Sequence, residues 1–532
     1  MTGTNRGGRP PPGRREARAP GIEAVSGVHR PADLAVGVAG LGYMGIATAL
    51  GFARHGVPVR GFDIRPELLR SLRRTELPIH EEGLGELLRD EMRSGRFQVV
   101  GTWEEMVDAS PIIFLCLPTP RRSSGRIDLA PLRAGLRQLG SALRRVREYR
   151  LVVVKSTVVP GTTQGVVRPL LERSARKGPG ELGVAVNPEF LAEGTMVRDA
   201  LEPARIVIGI ENAADEARLR RVHATFPAPV IAVSPTGAEL VKYASNAFLA
   251  LKVSFANEIS RLAERTETDV GEVMAAVGLD PRIGPRFLSA GPGFGGSCFE
   301  KDVRALIARG TDLGVDLRLL KATLAANAAQ TRHAADLALG ALGDPHGSAV
   351  ALLGLSFKPG TDDVRESRAL PIAETLARAG ARVRVHDPVA LERFKEAARQ
   401  TIPEWADRLE FCVTVEDALR GADLAVLHTD WTEYSRWPSE WSRLMRRATV
   451  VDLRRALPVE VRSRGDFKWI GLGSPAPRPG PEPSGPPMPR WLQTTSSMLA
   501  PSAAPPAFPR PEVERTAARA VGPIGRWSVR RS

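Results

Sequence analysis

The chain has 532 residues, 43% hydrophobic, 25% charged and 5% aromatic; at roughly 100–200 residues per domain this length holds about three folded units and excludes a single small binding module. Lysine plus arginine total 74 against 60 acids, a formal +14 that raises nucleic acid or an anionic membrane as partners. The excess lies largely at the ends, where residues 1–32 carry six arginines against Glu16 and Glu23 and residues 474–532 carry eight against three glutamates, so the composition argues for neither partner.

In chain order, residues 1–32 form a Pro/Gly/Ala/Arg-rich segment with the run Pro10-Pro11-Pro12, too poor in large apolar side chains to offset ordering entropy, and are predicted to be disordered. No apolar stretch precedes a small-residue cleavage site, so a signal peptide is not expected. From residue 33 the pattern becomes strand, turn, helix, strand. Leu34-Ala-Val-Gly-Val-Ala reads as a buried strand, Gly40-Leu-Gly-Tyr-Met-Gly opens a small-residue helix to about His55, and 57–62 is the next strand, ending at Asp63. The uncharged run over 35–53 contains five glycines and no block of large apolar residues, which excludes a membrane span.

Pro111-Ile-Ile-Phe-Leu-Cys-Leu and Leu151-Val-Val-Val-Lys are further buried strands, with arginine-rich amphipathic helices between them. Strands alternating with helices specify a doubly wound parallel sheet. After Ile206-Val-Ile-Gly-Ile the period turns helical over about 235–265 and 301–335. Alternation resumes at Ser348-Ala-Val-Ala-Leu-Leu-Gly-Leu and runs through Arg382-Val-Arg-Val-His-Asp, Asp423-Leu-Ala-Val-Leu-His and Ala448-Thr-Val-Val-Asp. The predicted organisation is α/β over 33–212, helical over 213–335 and α/β over 336–473, followed by a second disordered tail at 474–532 whose arginines lack the regular aromatic interleaving of a nucleic-acid stacking groove.

Gly40-x-Gly42-x-x-Gly45 follows a strand and starts a helix, where glycines permit a tight turn and close approach of a pyrophosphate to helix N-terminal amides. The alternative is a turn used only for helix–sheet packing. Asp63, about 20 residues on, can accept from both ribose hydroxyls and repels a 2′-phosphate, which favours NAD; the nearby Arg65 leaves NADP open. Gly354-Leu-Ser-Phe-Lys-Pro-Gly lacks the third glycine but sets Lys358 just past a strand, suited to a nucleotide phosphate or to mere solvation.

Three cysteines, an odd number, form no disulfide framework and fit a reducing cytoplasm. Cys116 and Cys412 sit in apolar strands and read as inert. Cys298 lies in Gly291-Pro-Gly-Phe-Gly-Gly-Ser-Cys-Phe-Glu-Lys-Asp, where a neighbouring cation or a helix N-terminus is expected to lower its pKa. Lys242 and Asn246 share one helix face, so an ammonium and an amide can converge on one oxygen, as an oxyanion site requires, or simply decorate a surface. Asn187-Pro-Glu189-Phe-Leu-Ala-Glu193-Gly offers two carboxylates for proton transfer or ribose contact, or an ordinary helix start.

Together these segments resemble the UDP-glucose/GDP-mannose dehydrogenase family over about residues 33–473. The likeness is carried in order by Gly40-Leu-Gly-Tyr-Met-Gly, Leu77-Pro-Ile-His-Glu-Glu-Gly-Leu, Cys116-Leu-Pro-Thr-Pro, Lys155-Ser-Thr-Val-Val-Pro-Gly-Thr, the Glu189 and Lys242/Asn246 segments, the Cys298 loop, Phe357-Lys-Pro-Gly-Thr-Asp-Asp-Val-Arg-Glu-Ser and Asp452-Leu-Arg454. The resemblance implies an N-terminal Rossmann NAD-binding domain, a central helical dimerisation domain and a C-terminal Rossmann-like nucleotide-sugar domain. It implies twofold oxidation of a sugar C6 alcohol by NAD, without a metal, through an aldehyde caught by Cys298 as thiohemiacetal and then thioester.

On the same resemblance, Lys242 and Asn246 stabilise oxyanions, Asp302 and Glu189 handle water and protons, and Thr157 helps hold a water. Gly40, Gly42, Tyr43, Met44, Gly45, Asp63, Thr119, Glu193, Lys301 and Arg365 are expected at the cofactor. Glu189, Phe190, Leu191, Lys242, Asn246, Ser289, Gly293, Phe294, Gly295, Phe357, Lys358 and Arg454 are expected around the nucleotide sugar, with Arg282 and Phe287 approaching a neighbouring subunit's substrate. Two departures stand out. Glu300 replaces a proline common in relatives and, as a carboxylate, opposes thiolate formation; Leu68 stands where members often carry a basic residue toward the cofactor, for which Arg65 or Arg70 can compensate. UDP-glucose is the expected substrate and GDP-mannose the runner-up. A non-catalytic nucleotide-sugar-binding scaffold and a simple β-hydroxyacid dehydrogenase are the competing classes, and the second gives no use for residues 336–473.

Overall fold

The computed structural model describes residues 34–475 except 78 and 80; the tails expected at 1–32 and 474–532, apart from Ser474 and Pro475, and Pro78 and His80 of the 77–84 segment lie outside the described residues. The first sheet has eight strands: β1 (Val36–Ala39), β2 (Val59–Phe62), β3 (Phe97–Val99), β4 (Ile112–Leu115), β5 (Arg150–Val154), β6 (Leu182–Val186), β7 (Ile206–Gly209) and β8 (Val230–Val233). Their spatial order is β3-β2-β1-β4-β5-β6-β7-β8, parallel throughout except at β6–β7. Both faces are covered, because period-two side chains go to opposite sides: Ile112 and Phe114 enter one apolar cluster, Ile113 and Leu115 the other. Helix α1 (Tyr43–Arg54) and helix α2 (Pro66–Arg73) flank β1 and β2 in sequence and contribute to the first of these clusters.

The region that follows is helical, and three of its helices build the site: α3 (Pro235–Arg265), α4 (Phe299–Asp312) and α5 (Arg318–Leu342). Ser234 caps α3 by accepting from the Gly237 amide at 3.1 Å, Pro235 opens it, and 31 residues carry it about 46 Å. The second sheet is wholly parallel: β9 (Ala349–Leu353), β10 (Arg382–His386), β11 (Leu409–Phe411), β12 (Leu424–Leu427), β13 (Thr449–Asp452) and β14 (Lys468–Gly471), in the order β11-β10-β9-β12-β13-β14.

Two expected boundaries differ from the observed elements. Residue 212 falls short of β8, which continues the first sheet through parallel pairing with β7, and its half-exposed edge residues gave little apolar signal. Residue 335 falls inside α5, which runs on without a breaker until Gly343 turns out of the helix at φ 79°.

The two sheets repeat one local device. Gly40 and Gly354, each just past the first strand of its unit, take φ of 91° and 88°, and a Cβ on either would press against the backbone entering from the neighbouring strand. In both units the next amide, of Leu41 or Leu355, donates to the aspartate ending the second strand, Asp63 at 2.8 Å and Asp387 at 2.7 Å. In the second unit Asp387 also accepts from the Ser356 amide and hydroxyl and from the Trp431 indole, so a ribose diol finds no free acceptor there. The first unit thus carries the dinucleotide crevice, and the second presents a closed version of it.

Candidate active site

Cys298 ends the glycine loop and is the N-cap residue of α4; its side chain is half-buried, and its sulfur lies 3.6 Å from the Ser297 hydroxyl. Asp302 follows one turn later on the same helix, its amide donating to the Cys298 carbonyl at 2.9 Å. From the facing α3, Asn246 Nδ2 donates to Asp302 Oδ2 at 2.7 Å, and the Lys301 ammonium bonds the other oxygen at 2.5 Å. One turn earlier on α3, Lys242 Nζ meets Glu189 Oε1 at 2.7 Å, with both side chains buried. Glu189 is held from behind by the Leu191 amide at 2.8 Å, and Phe190 lies under the Arg205 guanidinium at 4.1 Å. Each donor keeps capacity to spare: an ammonium has three N–H bonds and an amide two.

The glycine loop reaches Cys298 by threading between the helices and the second α/β unit. The Phe294 amide and carbonyl are gripped by Asn327 on α5 at 2.7 and 3.0 Å. Gly296, at φ 83°, donates to the Arg365 carbonyl at 3.0 Å, and the Phe357 ring occupies the space that a Cβ there would fill. Arg454 bridges the crevice of the second sheet, donating to the His428 carbonyl at 3.0 Å and to that of Phe357 at 3.1 Å, and lies against Gly291. Along the loop, Gly295 and Gly296 thus pack on Phe357 and Gly291 on Arg454, Lys358 lies over the Phe357 ring at 5.6 Å, and Gly293 sits against Asn327. Ser289 is exposed; Arg282 is exposed and paired with Asp280, and makes no contact with the Cys298 cluster among the described residues. Phe287 is exposed at φ 64°, its ring 6.1 Å from that of Phe299.

Electrostatics correct one expectation. Burial pushes the Cys298 thiol pKa up, and Lys242 and Lys301 only partly oppose this because Asp302 and Glu189 push the same way. The resting thiol is neutral. Lys242 keeps its charge: burial lowers its pKa, but Glu189, Cys298 and Asp302 together raise it above the ordinary value. Burial lowers the Lys358 pKa, against the pull of Glu193, Glu81, Asp199 and Cys298. Arg365 spends its guanidinium on Asp363 and reaches Glu193 at 3.3 Å; burial and the Asp363 charge hold the Glu193 carboxyl up at about 8, protonated at neutral pH. Cys116 is pushed to about 12 by burial, and Cys412 is raised too.

Glu300 does not face the thiol. Its carboxylate accepts from Arg304 and from Arg368, each at 2.8 Å, and these partners hold its pKa low despite burial. The acid opposes two guanidiniums, not thiolate formation, and ties α4 to the second α/β unit. Glu300→Ala is expected to cost roughly 2 kcal/mol because the largely buried Arg368 then keeps only Glu366, at 3.6 Å, as an ion-pair partner, seen as a lower thermal midpoint, with the pH profile of Cys298 alkylation unmoved.

At the dinucleotide crevice, Gly42 is the N-cap residue of α1, no side chain caps the helix, and a Cβ on Gly42 would meet nothing within 4 Å, so the first-turn amides look onto open space beside Tyr43, Met44 and Gly45. Asp63 accepts from Leu41 and Arg65; burial raises its pKa, but these bonds hold it below the ordinary value and ionised. Leu68 is buried in the α2 face of the same crevice. Thr119 donates to the Thr157 carbonyl at 2.9 Å, joining the loops after β4 and β5. A glycine-lined helix terminus above an ionised aspartate fits a dinucleotide.

Family models match in series: the NAD binding domain of the UDP-glucose/GDP-mannose dehydrogenase family over residues 34–227, its central domain over 236–329 and its UDP binding domain over 351–458. The chain belongs to the UDP-glucose/GDP-mannose dehydrogenase family. Among relatives, a UDP-glucose 6-dehydrogenase of Haloferax volcanii is 40% identical over 79% of this chain and 96% of its own length. One of Pseudomonas aeruginosa is 39% identical over 82% and 97%. The structure of a UDP-glucose dehydrogenase from Pyrobaculum islandicum superposes with a TM-score of 0.76 at 40% identity, covering 83% of this chain and 98% of that one. As a member of this family the chain uses NAD, and among its described residues no helix is long and apolar enough to cross a membrane.

Several residues that shape the site were assigned no role from the sequence. Glu81 accepts from the Gly194 and Met196 amides at 2.8 and 2.7 Å, fixing the loop of Glu193. Lys155 donates to Asn187 at 3.0 Å beneath Glu189. Arg205, Arg368 and Asp362 likewise act across more than 35 residues of sequence, where no periodicity reaches.

Proposed function

We propose that this chain oxidises the C6 alcohol of UDP-glucose to the carboxylate of UDP-glucuronate. The observation that carries the reading is the grouping of a Lys242–Glu189 pair and an Asn246–Asp302 pair with Cys298 at the start of α4, whose thiol feels the charges of Lys242, Asp302 and Glu189, in a chain similar over most of its length to UDP-glucose 6-dehydrogenases. NAD, when bound, supplies the hydride acceptor for each of the two oxidations. The chain's own residues do the rest. Lys242 and Asn246 hold the substrate oxygen as charge develops on it. Cys298 loses its proton to a neighbouring carboxylate and its sulfur adds to the aldehyde carbon; after the second oxidation the carbonyl is bound as a thioester. Asp302 and Glu189, with Thr157, orient the water that cleaves it and take its proton.

Phe190, Leu191, Ser289, Gly293, Phe294, Gly295, Phe357, Lys358 and Arg454 surround the nucleotide sugar in this reading, while Thr119, Glu193, Lys301 and Arg365 lie toward NAD. The active form is a homodimer. Leu240, Phe248, Phe255 and Leu262, each between 46 and 62% exposed, form a stripe at near-heptad spacing on α3, and a second copy of that helix covers it, with Arg282 and Phe287 near the partner's site. Three unpaired cysteines support a reducing, cytoplasmic setting.

The test is the purified protein with a panel of nucleotide sugars, counting NADH per sugar consumed. About two NADH per UDP-glucose is expected from the thioester route. A ratio near one contradicts that route, and turnover with GDP-mannose alone overturns the substrate.

A further inference from the structure

We infer that Arg393, carried by the second α/β unit, binds the dinucleotide held by the first; the assignment rests on the NAD reading above. A cavity of about 240 Å³ lies at the N-terminus of α1, and its lining includes Gly42, Tyr43, Arg65 and Leu68 from the first unit and Arg393 from the helix α6 (Leu391–Thr401) of the second. The fingerprint turn brings a pyrophosphate to this end of α1, where the helix has no acidic residue in its first turn and no side-chain cap, so the site is built for negative charge.

Two guanidiniums line the cavity, and they are not equivalent. Arg65 is engaged on both oxygens of Asp63, at 2.9 and 3.1 Å, and is matched by that carboxylate. Arg393 is held at the cavity by two groups: its Nε pairs with Asp362 Oδ2 at 3.1 Å, and its Nη1 donates to the Tyr43 hydroxyl at 3.2 Å. Tyr43 in turn donates to Asp362 Oδ1 at 3.1 Å, closing a triangle between the fingerprint turn and the second unit. Among the described residues Nη2 makes no hydrogen bond, and the side chain is 42% exposed, free to pivot a short way toward an anion. A planar guanidinium fork suits a phosphate, and Asp362 with Tyr43 limits the rotamers it must give up. With Leu68 apolar in the same wall, this charge reaches the cofactor from across the chain. Cofactor binding thereby strengthens the contact between the two α/β units.

The test is calorimetric titration of the full chain with NAD and, separately, with UDP-glucose, for wild type, Arg393→Ala and Arg393→Lys. Arg393→Ala is expected to weaken NAD about tenfold, less at high salt, with UDP-glucose affinity within about twofold of wild type. Arg393→Lys recovers only part, because one ammonium cannot hold Asp362, Tyr43 and a phosphate in the same geometry. Unchanged NAD affinity in Arg393→Ala overturns the assignment. So does an equal loss for NAD and UDP-glucose, the pattern of a purely structural link between the units. A wild type that binds no NAD defeats the functional reading itself, whereas a wild type that binds NAD beside an indifferent Arg393→Ala defeats only this one.

Discussion

Replacing Cys298 with alanine is expected to abolish uronate formation, lowering the rate on the order of 10³-fold or more, while the affinities for NAD and UDP-glucose stay within about threefold. The separation of rate from binding follows from where the sulfur lies. It is half-buried, its hydrogen-bond contact is the Ser297 hydroxyl, and removing it leaves no buried charge or donor without a partner. The carboxylate pairs beside it do not depend on it: Lys242 keeps Glu189 and Asn246 keeps Asp302. Alcohol oxidation to the aldehyde can still proceed, so the variant is expected to form at most one NADH per sugar and to release aldehyde, measurable by trapping with a hydrazine. Uronate production at near wild-type rate by Cys298→Ala defeats the covalent route and leaves the glycine loop without a chemical role.

The frame of the first unit was legible because its signals are local. A buried strand, a glycine turn, a small-residue helix and an aspartate at the next strand's end all lie within thirty residues, and the turn is tied to that aspartate by the Leu41 amide. The Cys298 loop was legible as a run of glycines, two of which, Gly295 and Gly296, are required by the Glu366 backbone and the Phe357 ring pressing on them. What was not legible is of two kinds. Short edge strands such as β3, β8 and β11 present three or four residues with at most one of them buried, too little apolar alternation to stand out. Charge balance depends on distant partners: Glu300 reads as an acid threatening the thiol until Arg368, 68 residues on, takes one of its oxygens. The thiol itself was misjudged for the same reason. Cations and the carboxylates Asp302 and Glu189 near Cys298 were visible in the sequence, but the burial of the thiol, the largest influence on it, was not.

Substituting Lys242 by methionine is expected to lower kcat by about 10²–10³-fold, and the pH dependence separates its two roles. The first is electrostatic support of the thiolate. Burial raises the Cys298 pKa and Lys242 is the first influence opposing it, so deleting that ammonium moves the thiol pKa further up. Alkylation by iodoacetamide follows the thiolate; in wild type its midpoint lies above that of free cysteine, and in Lys242→Met it lies higher still, with slower labelling at every pH below it. The second role is donation to the developing oxyanion, which no change of pH restores. Glu189, buried and deprived of its partner, complicates the single variant, and Lys242→Met combined with Glu189→Gln removes that stranded charge. If raising the pH until Cys298 ionises returns the double variant to the kcat of Glu189→Gln alone, Lys242 acts on the thiol alone. A deficit relative to Glu189→Gln that persists on that plateau, the outcome expected here, assigns the ammonium to the oxygen of the substrate.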